Sequence, residues 1–379
     1  GAKSSADARD DISAGNLAVL YLGRGRLTGD AADYERALAA ANRAVAAYPT
    51  STTTRALKAT VLQATHEFTA ALALAEQILG EDPKNVDALA VAGDARLELG
   101  RLDEAAATYA QLASIAPGPA LDVRMARLAW LSGDQAMALE QAAKARDAAS
   151  ADGGSDPSFY EAQLGEFARI TGHADQARTS FEAALAIRPT DQLALIGLAR
   201  VEAFNGHDVA AIARLQTASA IAPRPETLAL LTDLLVRIGD ARGAADSAAT
   251  VRAIEQVGGS AASLFDRQIL GFELDHGAAT RELLDRAMAA ATIRPDAAGL
   301  DLVAWAAYRL DDLSIAAEFS ARARASGTVD ARILYHAGAI AIARGNAEDG
   351  RSLVQRALDL GSALDPLDRR EAEALLTGS

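Results

Sequence analysis

The stretch SFYEAQLGEFARITGHADQARTSFEAALAIRPTD, Ser158 to Asp191, decides the fold. Small and apolar residues recur every three to four positions up to Ile170, and again from Ala174 to Ile187, which is the spacing of one helix face. Thr171-Gly172-His173 separates the two runs. Glycine supplies the left-handed conformation that ends a helix, and a short polar residue starts the next one. Pro189 has no amide hydrogen to donate and closes the second run. The stretch therefore reads as a helical hairpin.

Working outward, the hairpin repeats. Pro49, Pro83 and Pro117 are 34 residues apart, as are Pro189 and Pro223. Pro117 to Pro189 and Pro223 to Pro295 are each 72, two periods plus four residues. The first excess falls at Ala151-Asp152-Gly153-Gly154-Ser155-Asp156 and the second at Gly258-Gly259-Ser260. Gly172 and Gly206, Ala177 and Ala211, and Ala184 and Ala218 keep the same phase. Turns such as Leu99-Gly100-Arg101, Ser132-Gly133-Asp134, Ile238-Gly239-Asp240 and Arg344-Gly345-Asn346 mark further hairpins. In the first repeat, Gly23 to Gly29 reads as a helix terminus with an extended turn.

These residues resemble the tetratricopeptide repeat, whose 34-residue pattern places small, aromatic and proline residues at set offsets. Ser158 to Asp191 matches with Leu164-Gly165, Ala177, Phe181, Ala184 and Pro189; Val86 to Pro119 matches with Gly93, Ala105, Tyr109 and Pro117. The last repeats keep Trp305 and Ala316, then Gly338 and Ala357. The resemblance implies an all-α, right-handed superhelical α-solenoid of about ten helical hairpins plus a C-terminal capping helix. One solenoid domain over 1–379 is expected: a disordered or tag-derived N-terminus at 1–11, repeats at 12–157, 158–257 and 258–364, and a charged, solvating cap and tail at 365–379. Glycines such as Gly165 on the first helix are expected to face alanines such as Ala177 on the second.

Composition agrees with helix. Half the residues are apolar but only 4% are aromatic, and alanine, the strongest helix former, dominates. A net charge of −14 repels phosphate backbones and disfavours nucleic acid. The absence of cysteine excludes disulfides and thiolate chemistry. The longest uncharged run, Ala105 to Leu121, is broken by Pro117-Gly118-Pro119, so no membrane insertion is expected. The sequence opens on Gly1 rather than methionine, as a tag remnant or a trimmed export signal would leave it. The chain is also similar to long tetratricopeptide arrays that many bacteria encode behind an export signal, which implies an extracytoplasmic location as the alternative to a cytoplasmic one.

No catalytic constellation emerges. His66, His173, His207 and His276 fall in or beside turns, and none has the partner spacing of a metal site. The expectation is a non-enzyme with no cofactor and no metal.

In proteins of this architecture the first helix of each hairpin lines the concave face. The groove residues that this implies are Arg124, Arg127 and Trp130, then Glu166 and Arg169, then Arg200 with Phe204, and finally Trp305, Tyr308, Tyr335 and His336. Arginine and aromatic side chains dominate binding hot spots. The arginine row favours an acidic peptide or helix of another protein. Trp305 and Tyr308 are equally spaced like core residues between hairpins. The clamp with which some tetratricopeptide domains hold chaperone C-termini is absent, its positions being filled by Leu57, Asp87 and Val91. The alternatives to a scaffold are the interaction arm of an enzyme or envelope assembly and a small-molecule binder, which a closed pocket near Trp305 would favour.

Overall fold

A computed structural model describes residues 11–28, 30–257 and 262–377. Residues 1–10 of the expected N-terminal tail, Gly29 and the expected Gly258-Gly259-Ser260 turn lie outside the described residues. The chain is all-α, with 21 α-helices and no strand among the described residues. None of these helices is long and apolar enough to cross a membrane.

In chain order the helices form ten successive pairs and a terminal helix. They are α1 Asp11–Thr28 and α2 Ala31–Ala47, α3 Thr52–Ala64 and α4 Phe68–Glu81, and α5 Val86–Glu98 and α6 Leu102–Ala113. Next come α7 Pro119–Leu131 and α8 Gln135–Asp152, α9 Pro157–Ile170 and α10 Ala174–Ile187, and α11 Gln192–Phe204 and α12 Asp208–Ile221. The remaining pairs are α13 Pro225–Arg237 and α14 Ala241–Val257, α15 Ala262–His276 and α16 Arg281–Ile293, α17 Ala297–Arg309 and α18 Leu313–Ala323, and α19 Ala331–Ala343 and α20 Ala347–Asp359. A 3₁₀ turn, Gly361–Ala363, leads into α21, Pro366–Thr377. The chain divides into two compact units, Gly1–Pro117 with Ile254–Asp266, and Gly118–Ala253 with Arg267–Ser379.

Local chemistry sets the helix ends. Asp134, Asp156, Asp191, Asp296, Asp312 and Asp330 cap the helices that follow them, each side chain accepting a backbone amide hydrogen. Gly172 holds φ 86° in the turn of its hairpin. At the same place His66 and Asp311 adopt φ 62° and 61°, a conformation that L-residues enter only at a cost. Pro49, Pro83, Pro189, Pro223 and Pro295 each stand two residues past the end of a second helix.

Three expectations change in detail. The Gly23–Thr28 segment is not an extended turn, because α1 continues through it. Gly25 lets the ring of Tyr34 come close, and Arg24 pairs with buried Asp33 across the hairpin, so the helix is held to its end. The excess residues near Ala151 lengthen α8 to Asp152 before Gly153 turns the chain at φ 63°. Gly93 and Gly165 of the first helices face aromatic rings rather than alanines, whereas Gly338 faces Val354 and the backbone of Gly350. A Cβ on Gly93 would lie 2.3 Å from Tyr109, and one on Gly165 would lie 2.6 Å from Phe181.

The alanines Ala177 and Ala105 are nonetheless fully buried. Ala177→Leu is expected to overpack α10 and destabilise the second unit by about 1–3 kcal/mol. Thermal denaturation followed by circular dichroism measures this, and an unchanged midpoint would contradict the assigned packing.

Candidate partner-binding site

Within the second unit, the inward face of α9 and α11 meets the chain's own C-terminal segment. Arg169, on α9, donates from Nη1 to the Ser362 carbonyl at 2.7 Å and bonds Glu166 through Nε and Nη2 at 2.9 and 2.7 Å. Arg200, on α11, donates from Nε to Asp365 Oδ1 at 2.8 Å. Phe204, at the end of α11, has Gly361 against its ring edge and the Arg369 guanidinium 4.8 Å from its centroid. Arg369 also donates to the carbonyls of Leu358 and Gly361, which closes the C-terminal end of α20.

Electrostatics reinforce these contacts. Burial by itself lowers the pKa of Arg200, but the Asp365 carboxylate more than offsets this and raises it above the ordinary guanidinium value. Burial likewise pushes Asp365 up, and Arg200 reverses this to hold it below the usual carboxylate range. A further contact closes the same unit near its start. A Cβ on Gly133, in the turn after α7, would sit 2.3 Å from the Gly327 carbonyl oxygen, so this approach requires glycine.

The C-terminal helix is therefore packed on two sides. Asp368 and Ala372 are buried, and Tyr335 donates its hydroxyl to Glu371 at 2.8 Å. Toward α13, residues of α21 line a cleft of about 420 Å³ with Val236, Asp233 and His276. The expected solvating cap thus keeps its charges, but spends several of them inside the unit.

The second cleft, about 350 Å³, opens on the other side of the segment. Arg127 and Trp130 of α7, Gln163 and Phe167 of α9, and Arg332 of α19 line it together with Asp365 and Asp368. Arg127 is exposed, Trp130 is half-buried, and Arg124 lies on the same helix, donating to the Ala120 carbonyl at 2.9 Å. Burial pushes the Asp368 carboxyl up to about 7, although Arg332, 3.5 Å away, opposes the shift.

A carboxyl raised in this way binds a proton on folding. Its contribution to stability is complete below the ordinary carboxylate pKa and is lost as pH rises through about 7. His276 acts in the same direction: burial lowers its pKa, but the Asp233 carboxylate 2.7 Å away raises it overall. Asp365 acts in the opposite direction, at acid pH only. Asp368→Asn is therefore expected to flatten the fall in stability between pH 5 and pH 8 by on the order of 2 kcal/mol. Urea denaturation at the two pH values reads this out; parallel losses in wild type and variant would contradict it.

The C-terminal aromatic cluster lies deeper. Trp305 and Tyr335 are 2% exposed, as is His336. The Trp305 ring stacks on His336 at 3.9 Å and on Tyr308 at 5.0 Å, and its Nε1 donates to Asp275 at 3.0 Å. His336 Nδ1 lies 2.8 Å from Asp301 Oδ2, both groups buried. Trp305, Tyr335 and His336 thus form core between α17 and α19, with half-buried Tyr308 packed against them. The groove residues therefore fall into three sets: Arg124, Arg127 and Trp130 beside the open cleft, Glu166, Arg169, Arg200 and Phe204 on the C-terminal segment, and Trp305, Tyr335 and His336 in the core with Tyr308 against them. The partners Ser362, Asp365, Asp368 and Arg369 were missed, because no local pattern connects α9 and α11 to residues more than 150 positions later. No group of three or more His, Cys, Asp or Glu residues that could hold a metal occurs among the described residues.

The sequence matches the tetratricopeptide repeat family over residues 62–128 and 168–254. No curated protein matches it. Among solved structures it is similar to a human IFIT1 dimer with PPP-AAAA, at 16% identity and TM-score 0.51, over 94% of this chain and 84% of that one. It is also similar to a thermophilic TPR protein of Thermus thermophilus, at 18% identity and TM-score 0.45, over 50% and 98% of the two chains. PilW, a type IV pilus biogenesis factor, gives 20% identity and TM-score 0.46 over 56% and 97%.

Proposed function

We propose, from the match of residues 62–128 and 168–254 to the tetratricopeptide repeat family, that this chain is a non-catalytic scaffold whose second unit holds a segment of a partner protein. The observation that carries this reading is the cleft lined by Arg127, Trp130 and Gln163 on the inner helices α7 and α9. It combines an exposed guanidinium, an indole and an amide, the kinds of side chain that anchor peptide contacts. Arg169 and Arg200 meet carboxylates of their own chain, and the side chains of α7 and Gln163 line the open cleft beside them. An acidic segment fits Arg127.

The test is affinity capture from the source organism, with wild type beside an Arg127→Ala, Gln163→Ala double variant of matching circular dichroism. The expected result is a partner whose retention falls at least about tenfold in the variant, a loss of about 1.4 kcal/mol. Equal retention by both proteins overturns the placement of the site. A second reading, a small-molecule binder, is supported by the size of the two clefts, about 350 and 420 Å³, which lies within the range of ligand pockets.

A further inference from the structure

The contact between α9 and α11 on one side and Gly361–Arg369 on the other differs in kind from the rest of the second unit. Consecutive hairpins bury continuous apolar clusters. One joins Leu195 to Leu234, and another joins Leu284, Trp305 and Leu360. The clusters around Leu195 and Leu234, around Phe181 and around Phe167 on the α7–α14 side are separate from those around Trp305 and Ile333 on the α17–α21 side. What crosses between the two sides is an ion pair, a guanidinium–carbonyl bond, a cation–π contact and the backbone approaches of Gly133 to Gly327 and of Gly172 to Leu360. Two clefts flank this junction, whereas close-packed interiors hold few voids larger than a water molecule. Polar, incompletely packed junctions of this kind resemble transient interfaces between domains.

The C-terminal segment itself is firmly held on its own side. Leu360 and Leu364 are buried in the cluster with Trp305 and Tyr335. Opening therefore separates α9 and α11 from the segment without peeling the segment from α19 and α20. The face released would carry Arg169, Arg200 and Phe204. Arg200 is 18% exposed and Asp365 34% exposed even in the closed form, so a competitor can reach the pair.

We propose that Gly361–Asp365 is an internal ligand, and that the Arg169–Arg200–Phe204 face is a recognition surface for an acidic peptide segment which competes with it by presenting a similar turn and carboxylate. The bound segment displays the chemistry to be matched. A small residue lies against the Phe204 ring, the next residue offers a main-chain carbonyl to Arg169, and a carboxylate three residues further on pairs with Arg200. Ion-paired recognition by arginine sets register and orientation. This inference rests on the scaffold reading and extends it, since a partner docked at the Arg127 cleft would gain a second contact on opening.

The probe is a fluorescein-labelled peptide with the sequence of residues 358–370, titrated against the full chain by fluorescence anisotropy. Asp365→Ala in the chain weakens the internal ligand and is expected to tighten peptide binding at least tenfold over wild type. Adding Arg200→Ala to that variant is expected to abolish the gain, as is replacing the aspartate of the peptide that corresponds to Asp365. Asp365→Asn, which keeps the side-chain volume, serves the same purpose if the alanine variant does not fold. Equal affinity of wild type and the Asp365 variants, or a gain that survives Arg200→Ala, overturns the proposal. The capture experiment reads Arg127 and Gln163, whereas this one reads Arg200 and Asp365, so the failure of either is distinguishable from the failure of the other.

Discussion

Phe181→Ala is expected to destabilise the second unit by about 3–5 kcal/mol, the cost of deleting a fully buried aromatic ring that its surroundings cannot refill. Phe181 projects from α10 to Gly165 of α9 and Gly197 of α11. A Cβ on Gly165 would stand 2.6 Å from the ring, and one on Gly197 would stand 2.1 Å from its Cζ. Both glycines therefore exist to admit the ring, and both helices would have to move inward to close the cavity left by alanine. Their positions are fixed by Ala162, Ala168, Leu198 and Val201 in the same cluster, so collapse is incomplete. Urea denaturation followed by far-ultraviolet circular dichroism measures the loss. A loss below about 1 kcal/mol would show that the hairpin does not depend on this contact. Phe181→Leu, which retains more of the volume, is expected to fall between the two.

Asp301→Ala is expected to cost about 3 kcal/mol, because it leaves the buried His336 ring nitrogen without its 2.8 Å partner. His336 cannot recover the bond from water, being 2% exposed and covered by Trp305 in a parallel stack. Its other ring nitrogen already has no partner among the described residues, nor does Asp301 Oδ1. The pair therefore contributes less than a fully satisfied network, and replacing both members by apolar groups is expected to be far milder than truncating one. The double variant Asp301→Leu, His336→Phe keeps a ring under Trp305 and should recover most of the stability lost by Asp301→Ala. Denaturation midpoints of the three proteins decide the matter. A double variant as unstable as the single one would mean that the polar pair itself holds α17 to α19.

Much of the fold was legible in the 34-residue spacing of proline, glycine and alanine. Each marker acts within its own repeat: proline past a second helix, glycine in the turn, a capping aspartate before the next first helix. The packing partner of Gly165 was misread, because periodicity says which face of a helix is small but not which side chain of the neighbouring helix fills the gap. Tyr109 and Phe181 were visible as the aromatic position of the pattern, yet their role beneath the glycines appeared only from the approach distances.

The candidate site was legible as a list of inward positions and no further. Arg169, Arg200 and Phe204 were identified from their place in the repeat, but their partners lie 165 to 193 residues away in the case of the two arginines. Trp305 and His336 carry the same inward spacing as Arg127, yet both are buried, Trp305 in an apolar cluster and His336 stacked on it, while Arg127 is exposed. The repeat pattern assigns a direction to each side chain, and it does so from contacts within one hairpin and its neighbours. By itself the sequence thus determined the helical hairpin, its period, its turns and the terminal helix, because those depend on backbone conformation and local burial. Only the tertiary structure decided that the inner face of α9 and α11 is occupied by the chain's own C-terminal segment. That depends on how small rotations between successive hairpins accumulate until distant repeats meet, a sum over many contacts that no single residue encodes.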